Sequence, residues 1–284
     1  MKSIDSISEM QAYSRRARLR KETIGLVPTM GYLHEGHVSL IEKAKKACDL
    51  VVASIFVNPV QFAPNEDFAR YPRNIVRDTT LCKSAGASVI FAPKTDAMYP
   101  EGFSTFVSVE GISTVLEGKF RPTHFRGVTT VVAKLLSIVT PDKAFFGQKD
   151  AQQCVVLKRL VQDLNFGTEI IVAPIVREKD GLAMSSRNIY LSPQERTDAA
   201  VLRASLLKAE TLVQKGITQT AVLIREMTQL IKTKPSATID YVAVVHAETL
   251  SDLATIERGV PALIALAVRI GRTRLIDNTT ITLH

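Results

Sequence analysis

Cysteine is scarce in this 284-residue chain, confined to Cys48, Cys82 and Cys154. An odd number of widely spaced cysteines, set among apolar positions of helical stretches, excludes a disulfide framework or a cysteine-rich metal cluster and fits buried thiols in a reducing compartment. Long hydrophobic runs are also missing: nothing approaches the roughly 20 apolar residues needed to cross a bilayer. Met1 to Lys21 mixes polar and basic residues without an apolar core, so no secretory signal is expected there. No internal repeat and no low-complexity linker is present. These absences leave a folded cytoplasmic protein. Its 46% hydrophobic and 23% charged residues are the composition of a globular chain rather than a disordered one.

Lys and Arg number 36 against 28 Asp and Glu, a formal charge of +8. Such a balance serves nucleic acid, a membrane surface or an anionic small substrate. The densest basic group, Arg15, Arg16, Arg18, Arg20 and Lys21, lacks interleaved aromatics and reads as a solvated helix face. An RNA-binding module is therefore the weaker alternative: the C-terminal part is small and lacks stacking platforms.

Ile24–Thr29 and Leu50–Val57 are continuous apolar runs, the pattern of strands covered on both faces. Residues 88–92, 143–146 and 169–173 read as further strands. Helical spacing occupies Val38–Cys48, Val128–Val139 and Ala151–Asp163. Repeated strand–helix alternation predicts a Rossmann-like, doubly wound parallel sheet, an α/β fold whose ligands sit at the carboxyl ends of its strands. After about Pro174 the texture changes. One long helix from Ser192-Pro193 to Gly216, a second over 218–232, and strands at 239–245, 262–269 and 273–283 predict a smaller α+β C-terminal domain. The expected division is 1–175 and 176–284.

Four motifs follow the strands. Met30-Gly31-Tyr32-Leu33-His34-Glu35-Gly36-His37 leaves the first strand and enters a helix, where glycines admit a ligand and free amides meet an anion. Two histidines there can donate to phosphate oxygens as charge grows on them. A zinc pair or two incidental surface histidines are the alternatives, and no cluster of further zinc ligands accompanies them. Met184-Ser185-Ser186-Arg187 lies between the two halves and suits a triphosphate tail, although alone it would be a turn. Gly147-Gln148-Lys149-Asp150 offers a lysine to phosphate and an aspartate to cap the next helix. Asn58-Pro59-Val60-Gln61 places two amides after the second strand, suited to a hydroxy acid.

In this order the motifs resemble the pantothenate synthetases, within the superfamily of adenylate-forming and nucleotidyl-transferring enzymes that includes class I aminoacyl-tRNA synthetases. Tyr71-Pro72-Arg73, residues 121–127 and Arg274-Leu275-Ile276-Asp277-Asn278 extend the resemblance over the whole chain. The resemblance implies an ATP-dependent ligase that activates pantoate as an adenylate and transfers it to β-alanine. It also implies magnesium entering with ATP, and a homodimer. His34 and His37 would lie on the phosphates, with His37 as catalytic donor, and Lys149 and Arg187 would offset charge. Ser185 and Ser186 would hold the triphosphate; Gly147, Asp150 and the Val176 backbone would meet ribose or adenine. Gln61 and Gln153 would hold pantoate, Gln61 also facing β-alanine. Val128, Val131 and Val132 would wall its methyl groups or simply be core. Asp78 is a possible magnesium contact, and the metal ligands stay unassigned. The rival enzyme reading is a nucleotidyltransferase of the same superfamily acting on a phosphorylated acceptor.

Overall fold

A computed structural model of the chain describes residues 1–64 and 66–283. The first part alternates strand and helix: β1 (Lys2–Ile4), α1 (Ile7–Leu19), β2 (Ile24–Thr29), α2 (Glu35–Ala47), β3 (Leu50–Ile55), α3 (Ile75–Ser84), β4 (Val89–Phe91), the short α4 (Thr95–Met98) and α5 (Glu117–Phe120), α6 (His124–Val139), β5 (Lys143–Gly147), α7 (Ala151–Asp163) and β6 (Glu169–Ala173). The six strands form one parallel sheet in the order β1-β4-β3-β2-β5-β6. Successive side chains of a strand point to opposite faces. Leu26 therefore joins the core made by α1, α6 and α7, while Val27 joins the one made with α2 and α3. Both faces being covered is why β2 and β3 read as unbroken apolar runs, and each such side chain contributes roughly 1.5–3 kcal/mol on burial. The strand order reverses between β2 and β5, so the loops after these two strands open on one crevice.

The remainder comprises α8 (Pro193–Ala199), α9 (Val201–Gln214), α10 (Thr220–Ile231), β7 (Ala237–His246), β8 (Ala262–Ile270) and β9 (Thr273–Ile281), the strands forming an antiparallel sheet with β8 in the middle. The expected single helix from residue 193 to 216 is two helices, interrupted by one turn at Ala200. Alanine is the best helix former, so nothing in the residue itself signals the break. The N-terminus of α8 carries a reciprocal cap, Ser192 Oγ accepting from Glu195 N and Glu195 Oε2 accepting from Ser192 N. β1 escapes sequence periodicity because three residues are too few to show a period.

The small sheet is covered on both sides. One face packs on α9 and α10; the other places Val245, Leu263 and Ala265 against Ala151 of α7. Beyond this apolar contact, Arg274 of β9 makes a bidentate ion pair with the buried Glu117 (2.6 and 2.9 Å), which also accepts from Tyr241 Oη at 2.9 Å. No helix among the described residues is long and apolar enough to cross a membrane.

Gly127, in the first turns of α6, lies against the chain after β3: a Cβ there would stand 2.5 Å from Gln61 Cα and 2.6 Å from Gln61 N. Alanine would gain about 1 kcal/mol of helix propensity, but backbone atoms at that distance cannot yield. Overpacking wins, and Gly127→Ala is expected to lower unfolding free energy by about 1–3 kcal/mol net, measured by urea titration.

Candidate active site

The loop leaving β2 turns through two left-handed residues, Gly31 (φ 80°) and Tyr32 (φ 47°). The second is costly for a side chain with a Cβ and persists only where the surroundings impose it. Asp78 of α3 does so. Its carboxylate is 1% exposed and accepts from Tyr32 N and Leu33 N, both at 2.7 Å, while Leu33 is wholly buried. Both oxygens are thereby engaged, so Asp78 anchors the loop, a different task from the metal contact considered above. Thr29 Oγ1 accepts from Gly31 N at 3.2 Å and donates to Ser54 O at 2.7 Å, tying the loop to the ends of β2 and β3.

His34 is the N-cap of α2. Its Nδ1 accepts from Gly36 N at 3.2 Å, and His37 Nδ1 accepts from His34 N at 3.3 Å. The rings are 4.0 Å apart. An imidazole whose Nδ1 accepts a hydrogen bond carries its proton on Nε2 when neutral. Burial, with Lys149 nearby, lowers the His34 pKa to about 4; burial, then His34 and Lys149, holds that of His37 well below its ordinary value. At neutral pH the helix mouth thus presents two uncharged N–H donors. Gly36 is required beside them, since a Cβ would lie 2.9 Å from the His34 ring.

Met184–Arg187 meets this loop from the other side. A hairpin closed by the Arg177–Ala183 bridge, with Met184 N donating to Val176 O at 3.0 Å, delivers it. Ser186 Oγ donates to Tyr32 O (3.4 Å), and Ser185 Oγ accepts from Arg187 N (3.3 Å). Arg187 forms a two-point pair with Asp67, both contacts 2.9 Å. Burial alone would raise the Asp67 carboxyl, but this guanidinium holds it below the usual carboxylate range. Arg187 therefore has a carboxylate for counterion here. Lys149 follows β5, its Nζ 3.9 Å from Asp150 Oδ1. Asp150, which ends a 3-10 turn over 148–150, stands at the N-cap of α7 but makes no side-chain cap there, contrary to the simple expectation.

A cavity of about 180 Å³ lies beside these groups, lined by Met30, His37, Gln61, Gln153 and one face of α6 with Val128, Val131 and Val132. Gln61 Nε2 donates to Met30 Sδ (3.0 Å). Asn58 also borders the cavity, but its amide is committed: Nδ2 donates to Gln61 Oε1 and Gly127 O, and Oδ1 accepts from Tyr99 Oη. Of the neighbouring Gln152 and Gln153, the first spends its amide on Ile112 O, Val115 O and Glu117 N, which leaves Gln153 to line the cavity. A larger groove of about 980 Å³ between the two sheets contains Lys149, Asp150, Ser185 and Arg187. Sequence reasoning attached no role to Asp67, Tyr71, His124 or Asn278, all of which border these spaces. The Tyr71-Pro72-Arg73, 121–127 and Arg274–Asn278 stretches were the available signals for three of them.

His124 is half-buried, and desolvation followed by Arg121 brings its pKa to about 4. In the unfolded chain His34 and His124 titrate near 6.5. Between about 6.5 and about 4 the unfolded state therefore binds protons that the folded histidines refuse, so stability should fall as pH is lowered through that window. Unfolding free energy measured across it, with imidazole NMR titration locating the two folded midpoints near pH 4, checks this. A pH-independent stability would contradict it.

Comparison with known proteins gives a consistent result. The family model described as Pantoate-beta-alanine ligase matches residues 2–280. The pantothenate synthetase of Acetivibrio thermocellus is 54% identical over 281 residues, 99% of each chain, and that of Geobacter sulfurreducens 54% identical over 98% of each. The crystal structure of pantothenate synthetase from Thermus thermophilus superposes with a TM-score of 0.92 at 45% identity, covering 98% of this chain and 99% of that one. The pantoate-beta-alanine ligase from Francisella tularensis, solved with beta-gamma ATP and beta-alanine, gives 0.79 at 36% identity, covering 98% and 97%.

Proposed function

The chain belongs to the pantoate–β-alanine ligase family, and we propose that it joins pantoate to β-alanine with ATP through a bound pantoyl adenylate. The observation that carries the adenylate route is the pair of neutral Nε2–H donors at the mouth of α2, flanked by Lys149 and opening on a small cavity walled by valines. The small cavity takes pantoate, with Gln61 and Gln153 on its polar groups and Val128, Val131 and Val132 against its methyl groups. Gln61 also faces β-alanine, and Asn58 acts by holding Gln61. Met30–His37, Gly147–Asp150, Val176 and Met184–Arg187 take ATP, with adenine and ribose along Gly147, Asp150 and the Val176 backbone.

In the first step a pantoate carboxylate oxygen attacks the α-phosphorus and the bond to the β-phosphate oxygen breaks, pyrophosphate leaving with the electron pair. Negative charge grows on the α-phosphate oxygens. His34 and His37 donate to them, and Lys149 and Arg187 offset the charge, so binding strengthens in the transition state. For Arg187 to do so the triphosphate takes the place of Asp67. In the second step the neutral β-alanine amine attacks the activated carbonyl, AMP leaves with the acyl–oxygen electrons, and the amine proton passes to solvent. No side-chain nucleophile is needed; the rest is positioning.

Among the described residues no three His, Cys, Asp or Glu side chains gather as a metal site, and Asp78 is occupied by amides. We take magnesium to enter with the ATP substrate, because it tends to use few protein ligands and keeps phosphate and water in its coordination shell. We take the enzyme to be a cytoplasmic homodimer, with a catalytic unit over 1–175 and a lid over 176–284.

The test is pyrophosphate release from magnesium–ATP and pantoate without β-alanine. We expect about one equivalent per site, turnover on adding β-alanine, and a burst slowed about 10²- to 10³-fold in His37→Ala. Release triggered by a phosphorylated acceptor and not by pantoate would reject the ligase in favour of a nucleotidyltransferase.

A further inference from the structure

β9 reaches across the groove to the loop that bears Lys149. Asn278, 3% exposed, donates from a single amide nitrogen to two successive carbonyls of that loop, Gln148 O at 3.0 Å and Lys149 O at 2.9 Å. Its Oδ1 accepts from Gln148 Nε2 at 3.2 Å. The whole amide is thus spent on residues 148 and 149, 130 and 129 positions away in the chain. The preceding residue grips the other phosphate motif's support. Asp277, 1% exposed, takes both Arg177 nitrogens (2.6 and 2.9 Å), and Arg177 in turn donates to Gly181 O inside the hairpin that delivers Met184–Arg187. A third bond, Asn278 N to Asp277 Oδ1 at 2.8 Å, locks the two residues to each other.

This placement matters because Asn278 is what holds the 148–149 carbonyls by side-chain hydrogen bonds. The turn's start is fixed by Gly147 pairing with Ala173 of β6 and by Cys154 Sγ donating to Gly147 O at 3.5 Å, while Asp150 at its end makes no side-chain cap. A lysine is a point charge on a flexible stem, so the direction of its backbone decides where the ammonium spends its time. A displacement of about 1 Å at such a group can cost roughly 100-fold in rate.

We propose that Asn278 is a positioning residue for Lys149, so that seating of the C-terminal sheet on the 148–149 turn is a condition of adenylate formation. The proposal rests on the reading of Lys149 as a group that offsets charge on the transferring nucleotide. It separates the two roles of β9: Arg274 with Glu117 holds the units together, while Asn278 aims a side chain.

A double-mutant cycle on the pantoate-dependent pyrophosphate burst tests it. Asn278→Ala should slow the burst roughly 10- to 100-fold, with the KM for pantoate and for β-alanine changed by less than about 2-fold, because neither amino-acid carboxylate nor hydroxy acid is bound by the turn. In a Lys149→Ala background the same substitution should cost less than about 2-fold more, since there is no ammonium left to aim. If Asn278→Ala melts below the assay temperature, Asn278→Leu, of the same branched shape and without donors, replaces it in the cycle. Losses that multiply in the double variant would overturn the positioning role while leaving Lys149 in place. A burst unaffected by Lys149→Ala would instead remove the role of Lys149, and the proposal with it.

Discussion

At the mouth of α2 the chain's own amides are bonded to the two histidine Nδ1 atoms, and the site is organised around this reciprocal pair. The bonds choose the tautomer of both rings, hold them 4.0 Å apart and leave each Nε2–H as the outward donor. Burial keeps the rings uncharged, which avoids two adjacent cations in an ATP-free site and still supplies donors to an oxyanion. The arrangement needs the strained turn at Gly31 and Tyr32, and that turn needs Asp78. Strain at the loop is balanced by two short bonds to a buried carboxylate of α3.

The positive groups around this core are treated differently. Arg187 carries an internal counterion in Asp67, so it is not left as a bare buried cation. Lys149, partly exposed, has among the described residues the 3.9 Å contact with Asp150 as its one ion pair. Water stabilises it well enough, and a desolvating ligand strengthens its field. Electrostatic complementarity is therefore held partly in reserve until the anion arrives.

The smaller sheet is bound to the larger unit by an apolar contact around Ala151 and by the Glu117–Arg274 pair, both on the same side of the groove as the Lys149 turn. Within β9, Asp277 and Asn278 add links from this sheet to Arg177 and to the 148–149 turn. Such a geometry lets one strand hold the 148–149 turn and the 177–183 hairpin in mutual register.

What the sequence by itself determined was local. The apolar runs of β2 and β3 announced strands covered on both faces, because alternate side chains there have no solvent side to serve. His34 and His37, three apart at a helix start, and Lys149, just after a strand, were legible because strand–turn–helix geometry is set by neighbouring residues. Of the amides named from the sequence, Gln61, Gln153 and Asn58 all border the cavity, and only the structure shows that the Asn58 amide is spent on Gln61, Gly127 and Tyr99. The tertiary structure alone decided that Asp78 anchors a loop 45 residues away, that Asp67 pairs with Arg187 across 120 residues, and that Asn278 reaches back 130. Those partners are brought together by strand order and sheet packing, and no local propensity or spacing carries that information.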